Sequence, residues 1–130
     1  MAMTYIETSE DFVVEAEPTY VPEHSDPEKG QYFFSYKIRI TNKSTNPAQL
    51  VSRRWIIVDG KQNKEEVEGP GVVGEQPHFD VGSSFEYTSF CPLPTPTGSM
   101  RGHYVMKDAS GRFFSIKIPL FFLREPSRNH

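Results

Sequence analysis

Apolar and polar residues alternate with a period of two along several stretches of the chain, which is the pattern of β-strands that bury one face. The clearest stretch spans residues 32–41. Its apolar positions are Tyr32, Phe34, Tyr36, Ile38 and Ile40. Polar residues occupy positions 35, 37, 39 and 41 between them. This segment is predicted to be a strand that covers one side of a hydrophobic core.

Further strands are predicted from the same alternation and from the turn residues between the apolar segments. They cover residues 12–21, 49–58, 84–90, 100–107 and 113–123, with a short polar return strand within 61–68. No stretch has the 3.6-residue period of an amphipathic helix. Trp55 lies on the predicted central strand, where many β-sandwiches bury a tryptophan. The sequence therefore predicts an all-β fold, an immunoglobulin or fibronectin type III-like β-sandwich of about seven antiparallel strands in two sheets.

The chain of 130 residues is long enough for one domain with its own core. Residues 1–11 are predicted to be a flexible N-terminal arm, residues 12–124 the sandwich and residues 125–130 a flexible C-terminal tail. The first residues lack the pattern of a secretory signal, and no apolar run approaches the roughly 20 residues of a membrane helix. We therefore predict a cytoplasmic protein without membrane insertion.

Composition and charge remove several classes of function. The net charge is -3 and the basic residues are scattered, so nucleic acid is not an expected partner. Cys91 is the only cysteine, which excludes an internal disulfide and a thiolate-rich zinc site. The histidines share no face of a predicted element, so no metal site is predicted. They are His24, His78, His103 and His130.

Signatures of catalysis are also missing. The chain has no Gly-x-Ser-x-Gly motif, and Cys91 has no assignable base. Glu65 and Glu66 form a carboxylate pair, but they lie on a polar segment that is predicted to be exposed. We therefore predict no catalytic residues and no cofactor. A protein-binding module is the more natural function, because a rigid β-scaffold can present both recognition loops and an edge strand.

A glycine-rich segment, Gly69-Pro70-Gly71-Val72-Val73-Gly74, has the spacing Gly-x-Gly-x-x-Gly of dinucleotide-binding loops. No helix or βαβ unit is predicted around it, so the Rossmann interpretation fails on context. Two interpretations stay open. The loop amides of Gly69, Gly71 and Gly74 could bind a pyrophosphate-containing anion with help from Arg53 and Arg54. Alternatively, the glycines only supply the positive backbone angles of a turn.

Four segments together resemble the ApaG (CorD) family, and the likeness extends from about residue 12 to residue 123. They are Gln49 to Ile57, Val67 to Pro77, Thr95 to Tyr104 and Ile118 to Leu123. The resemblance implies a fibronectin type III-like sandwich and a link to cobalt resistance and magnesium efflux. Bacterial genes of the family often neighbour a diadenosine-tetraphosphate hydrolase. In eukaryotes a similar domain is fused to an F-box protein and to a DNA-polymerase-interacting protein.

Those fusions favour a protein-protein interaction module over an enzyme, with binding of a nucleotide or dinucleoside polyphosphate as the alternative. Gly69, Gly71, Gly74, Arg53 and Trp55 all stand at positions that match the family. Phe90 is a departure, since similar sequences usually place glycine there. A phenylalanine resists positive backbone angles, so a role that depends on that glycine is not expected in this chain.

Overall fold

The computed structural model describes residues 3–128 and contains nine β-strands in two antiparallel sheets. The strands are β1 (Tyr5–Ser9), β2 (Phe12–Tyr20), β3 (Tyr32–Asn42), β4 (Ala48–Asp59), β5 (Lys64–Pro70), β6 (His78–Phe79), β7 (Ser84–Leu93), β8 (Thr97–Asp108) and β9 (Phe113–Arg124). The helices in this range are three short 3-10 turns, Pro22–His24, Pro27–Lys29 and Pro126–Arg128. None of them is long and apolar enough to cross a bilayer.

The two sheets pack face to face. The first has the order β1-β2-β3-β7 and the second the order β5-β4-β8-β9, with β6 paired to one end of β4. The central position of β4, between β5 and β8, agrees with its prediction as a central strand. The predicted all-β sandwich is confirmed.

The period-two pattern of β3 explains the core. Phe34, Ile38 and Ile40 point between the sheets and are at most 1% exposed. From the second sheet, Leu50, Met106 and Ile116 meet them and are fully buried. Burying one such side chain contributes about 1.5–3 kcal/mol relative to leaving it in water, so the alternation stabilises the sandwich and sets its register.

The predicted flexible arm is wrong for residues 5–9, which form β1 and pair with β2. This strand was missed because it is short and only Tyr5 turns a large apolar side chain towards the core region, where its ring packs on Phe121. Residues 1–2 lie outside the described range. In the predicted C-terminal tail, the amide of Glu125 donates to the carbonyl of Pro96 and a 3-10 turn follows. Residues 129–130 lie outside the described range too.

Because proline has no amide to donate to a sheet, the sequence predicts an edge strand at Pro18 and an edge or a bulge at Pro119. Pro18 lies on β2, which is an inner strand, so its prediction as an edge strand is wrong. The pairing of β1 with β2 begins opposite Ala16, however, so β2 has no neighbouring strand on that side at Pro18. The missing amide of this proline therefore costs the sheet no hydrogen bond. Pro119 lies at an irregularity between β8 and β9, where the register shifts between Met100 and Gly102. This agrees with its prediction as an edge or bulge residue.

The sandwich is closed along one side and open along the other. On the closed side, β1 packs against β9, and the amide of Lys117 donates to the hydroxyl of Ser9 at 2.8 Å. On the open side, the outer strands are β7 of the first sheet and β5 of the second. No pairing joins these two strands within residues 3–128, and a cleft separates the sheets there.

Candidate functional site

A charged residue faces the interior at the open side of the sandwich. Arg53 lies on the same face of β4 as Trp55, which is 3% exposed, and its strand partners are Gly69 and Tyr104. A register shift between Leu50 and Ser52 precedes it and changes the alternation that began at Leu50. As a result Arg53 and Trp55, rather than Arg54 and Ile56, face the gap between the sheets.

The guanidinium of Arg53 holds the glycine-rich segment in place. Its Nη1 donates to the carbonyl oxygens of Pro70 at 3.0 Å and Gly71 at 3.1 Å. A Cβ added to Gly69 would lie 3.1 Å from the same Nη1 atom, so the missing side chain at this position lets the arginine lie across β5. Charge-assisted bonds of this type are stronger than neutral ones, and they bind the loop to the sheet.

The remainder of the segment is a tight hairpin turn. The amides of Val72 and Glu75 exchange hydrogen bonds with each other's carbonyls at 2.8 and 2.9 Å. Between them, Val73 and Gly74 have φ angles of 44° and 80°, as both central residues of a type I′ turn require. Gly71 has a φ of 60°, and an added Cβ would collide with the backbone of Glu75. These geometries agree with the turn interpretation of Gly71 and Gly74.

The cleft itself has a volume of about 400 Å³. It is lined by Tyr36, Arg53, Trp55, Pro70, Val72, Val73, Gly74, Tyr87 and Ser89. The lining thus contains one cation and three hydroxyl groups but no carboxylate. Such a lining is electrostatically complementary to an anion.

The tyrosine hydroxyls of the cleft are neutral donors. Burial raises the pKa of Tyr36, while its hydrogen bond with Ser89 acts in the opposite direction. Burial also raises the pKa of Tyr87, whose hydroxyl lies 2.6 Å from that of the fully buried Tyr104. The bond between these two hydroxyls gives Tyr104 a partner within the core, rather than the backbone bond of a tyrosine corner.

The structure brings together four of the five residues that were predicted to form an anion site. Gly69, Gly71, Gly74 and Arg53 are neighbours, but Arg54 is not, because successive side chains of a strand point to opposite faces. On the outer face, Arg54 forms ion pairs with Glu66 and with Glu68, the second at 3.7 Å. Its placement in the predicted site is therefore wrong.

The three hydroxyl-bearing residues of the cleft were not predicted, namely Tyr36, Tyr87 and Ser89. They belong to β3 and β7 of the opposite sheet, far from the glycine segment in sequence. The alternation of β3 places Tyr36 on the inner face, but it does not indicate which end or side of the sandwich stays open. The pairing of the sheets was needed to find them.

A second surface lies on the outer face of the first sheet, beside the same edge strand. Phe90 of β7 is 57% exposed and stacks on Phe33 of β3, with ring centroids 5.5 Å apart and planes at 30°. His24 also packs against Phe33, with ring centroids 5.5 Å apart. A hollow of about 470 Å³ continues from this aromatic group along Tyr32, Leu93 and neighbouring prolines.

The sequence predicts no metal site and no catalytic residue. Among residues 3–128, no group of three or more His, Cys, Asp and Glu side chains could hold a metal ion. Burial raises the pKa of Cys91 to about 12, so its thiol stays protonated at neutral pH and is a poor nucleophile. His130 lies outside the described range.

Comparison with known proteins agrees with this architecture. The family described as ApaG domain matches residues 22–108. Protein ApaG of Bdellovibrio bacteriovorus is 52% identical over 120 residues, which cover 92% of this chain and 94% of that protein. Protein ApaG of Bordetella pertussis is 51% identical, with 92% of each chain covered. A crystal structure described as an ApaA protein from Bordetella pertussis superposes with a TM-score of 0.87 at 52% identity, covering 89% of this chain and 94% of that one. The chain therefore belongs to the ApaG family.

Proposed function

We propose that this chain is a non-enzymatic protein-binding module of the cytoplasm, which accepts a strand of its partner along β7. The observation that carries the proposal is the exposure of Phe90, a large aromatic side chain on an edge strand. Exposed aromatic residues beside an unpaired backbone are typical of peptide recognition by strand addition.

The outer strands differ in how well they are protected against pairing. β5 carries Lys64, Glu65, Glu66 and Glu68 within seven residues, which disfavours strand addition. β1 and β9 pack against each other, and β9 contains Pro119 at an irregular position. β7 has ten residues, of which only Glu86 is charged, and its one proline stands next to its end. Of the outer strands in residues 3–128, β7 is therefore the best suited to accept a partner.

Affinity capture from a native lysate tests the proposal when it includes matched variants. Phe90→Ser removes the exposed aromatic ring on β7, and Phe113→Ser removes an equally exposed ring, 59% against 57%, on β9. We expect proteins that are retained by the wild type and by Phe113→Ser but lost with Phe90→Ser. Identical sets of retained proteins for all three baits would contradict the proposal.

We further propose that this binding serves cobalt resistance and magnesium efflux, as the family resemblance implies. A strain without the gene is expected to grow poorly in cobalt, and the wild-type chain is expected to restore growth. Phe90→Ser should fail to restore it, whereas Phe113→Ser should succeed. Full rescue by Phe90→Ser would separate the β7 surface from cobalt resistance.

Pyrophosphate binding, the alternative predicted from the glycine spacing, has less support. The amides of Gly71, Val72 and Glu75 already donate to backbone carbonyls, and Arg53 uses Nη1 on the loop itself. The amides of Val73 and Gly74 remain without a hydrogen-bond partner in the described part of the chain. Calorimetry with pyrophosphate and with a dinucleoside polyphosphate tests this alternative, and heat of binding that Arg53→Met removes would revive it.

A further inference from the structure

We propose that the cleft beside β7 binds the carboxylate of an acidic side chain carried by the partner strand. This inference rests on the proposed function, because the carboxylate reaches the cleft only when a strand pairs with β7. It adds a chemical identity to the partner: an acidic residue with an apolar residue next to it.

The first observation is that Arg53 has no carboxylate partner within residues 3–128. Arg54 and Arg112 form ion pairs with Glu66 and Asp108, and they are on the surface. Arg53 instead lies in the cleft, where Nη1 is taken by loop carbonyls while Nε and Nη2 have no hydrogen-bond partner among the described residues. Nε and Nη2 form the edge of a guanidinium that a carboxylate can accept with both oxygens.

The second observation is the composition of the cleft around this arginine. The hydroxyls of Tyr36 and Ser89 form a hydrogen bond with each other, which leaves one of their two protons for an anion, and no acidic side chain in the lining would repel it. One cation matches one negative charge, whereas a pyrophosphate group would bring several charges to the same place. The volume of about 400 Å³ accommodates a single aspartate or glutamate side chain.

The third observation is the direction of the side chains on β7. Tyr87 and Ser89 line the cleft, and Phe90 points to the outer face. A strand added to β7 continues this alternation, because neighbouring residues of paired strands point to the same side. A residue of the partner beside Ser89 therefore enters the cleft, while its two neighbours lie on the outer face, one beside Phe90 and the other beside Thr88.

A display library of random ten-residue peptides, selected on the wild-type chain, tests the inference. We expect enriched sequences with Asp or Glu at one fixed position and an apolar residue next to it on one side. Replacing that acid by its amide in a synthetic peptide should weaken binding at least tenfold. One result would overturn the inference but leave the proposed function standing. It is a set of peptides that compete with one another and require Phe90, but that bind equally well when the acid is replaced by its amide.

Two pairs of variants assign the effect to the cleft. Arg53→Met should remove the preference for acid over amide, while Arg54→Gln on the opposite face should keep it. Because Arg53→Met also removes bonds to the loop, Ser89→Asp provides a second test, since it places a carboxylate in the cleft without touching those bonds. We expect Ser89→Asp to remove the preference for the acid over the amide, whereas its neighbour Thr88→Asp on the outer face should keep most of that preference even if it weakens both peptides.

The remaining results decide between the two proposals. If folded Arg53→Met and Ser89→Asp both still bind the acidic peptide more tightly than its amide, the carboxylate binds elsewhere and the inference is overturned. A library that yields no peptide dependent on Phe90 would overturn the proposed function and the inference together. Near-native fluorescence of the buried Trp55 checks that each variant is folded.

Discussion

Replacing Gly71 by alanine should destabilise the fold far more than the same replacement at Gly74, although both glycines have positive φ angles. A Cβ at Gly71 would lie 2.9 Å from the carbonyl carbon of Glu75 and closer still to its oxygen. Carbon atoms in contact normally lie about 3.5–4.0 Å apart. At Gly74 an added Cβ meets no atom within 4 Å. Both variants therefore strain the backbone, but only in Gly71→Ala does the new side chain also collide with Glu75.

The magnitudes follow from these two effects. A left-handed angle costs a non-glycine residue about 1–2 kcal/mol. The lower entropy of the unfolded alanine chain offsets about 0.4–1 kcal/mol of this. Gly74→Ala should therefore cost about 1 kcal/mol, and overpacking adds about 1–3 kcal/mol at Gly71. The expected total for Gly71→Ala is about 2–4 kcal/mol, or a fall in Tm of roughly 6–20 °C.

Urea unfolding measures both variants, with the fluorescence of Trp55 as the signal. Trp55 is the only tryptophan and is 3% exposed, so its emission reports on the core near the cleft. The unfolding curves are fitted with the same slope of unfolding free energy against urea concentration. The fit then gives the difference in free energy of unfolding between each variant and the wild type. Equal losses for Gly71→Ala and Gly74→Ala, or a smaller loss at Gly71, would refute the assignment of Gly71 to the turn.

Two further predictions concern the hairpin turns that begin at Asp59 and Asp108, which have the same pattern of backbone hydrogen bonds. Gln62 has a φ of 69° where the second turn has Gly111 at 89°, so Gln62→Gly should stabilise the fold by about 0.5–1 kcal/mol in thermal unfolding, and Gly111→Ala should destabilise it. A loss of stability with Gln62→Gly would contradict this. Hydrogen bonds lower the pKa of Asp108 to about 2, and the bond from the Ser110 hydroxyl contributes most, followed by the bond from the Arg112 amide. Because this pKa is below its unfolded value, the carboxylate stabilises the fold above about pH 4, and that contribution is lost as the pH falls towards 2. Asp108→Asn should reduce the fall in stability between pH 5 and 2, and an unchanged pH profile would contradict the assignment.

The fold could be predicted from the sequence wherever the alternation was long. Residues 32–41 show five apolar positions on one face, and β3 follows them closely. β1 was missed because its five residues give no usable pattern, and its ordering depends on pairing with β2 and on the contact of Tyr5 with Phe121. Such tertiary contacts are absent from any local window of sequence.

The candidate site was predicted in part for the same reason. The glycine spacing indicated a tight loop, and Arg53 does contact this loop, while its role in binding an anion stays a prediction. Neighbouring positions on a strand face opposite sides, and the sequence did not decide which arginine turned inwards, so Arg54 was included in error. Tyr36 and Ser89 come from the other sheet, and only the packing of the sheets places them beside Arg53.

Hydrogen-deuterium exchange of the intact chain, with and without the tightest peptide from the library, tests the central claim most directly. If a partner strand pairs with β7, the backbone amides within residues 84–93 should exchange more slowly when the peptide is bound, because free amides of that edge become hydrogen-bonded. The amides of β5 and β9 should exchange at unchanged rates. Slower exchange confined to β5 or β9, with β7 unaffected, would contradict the assignment of the binding edge.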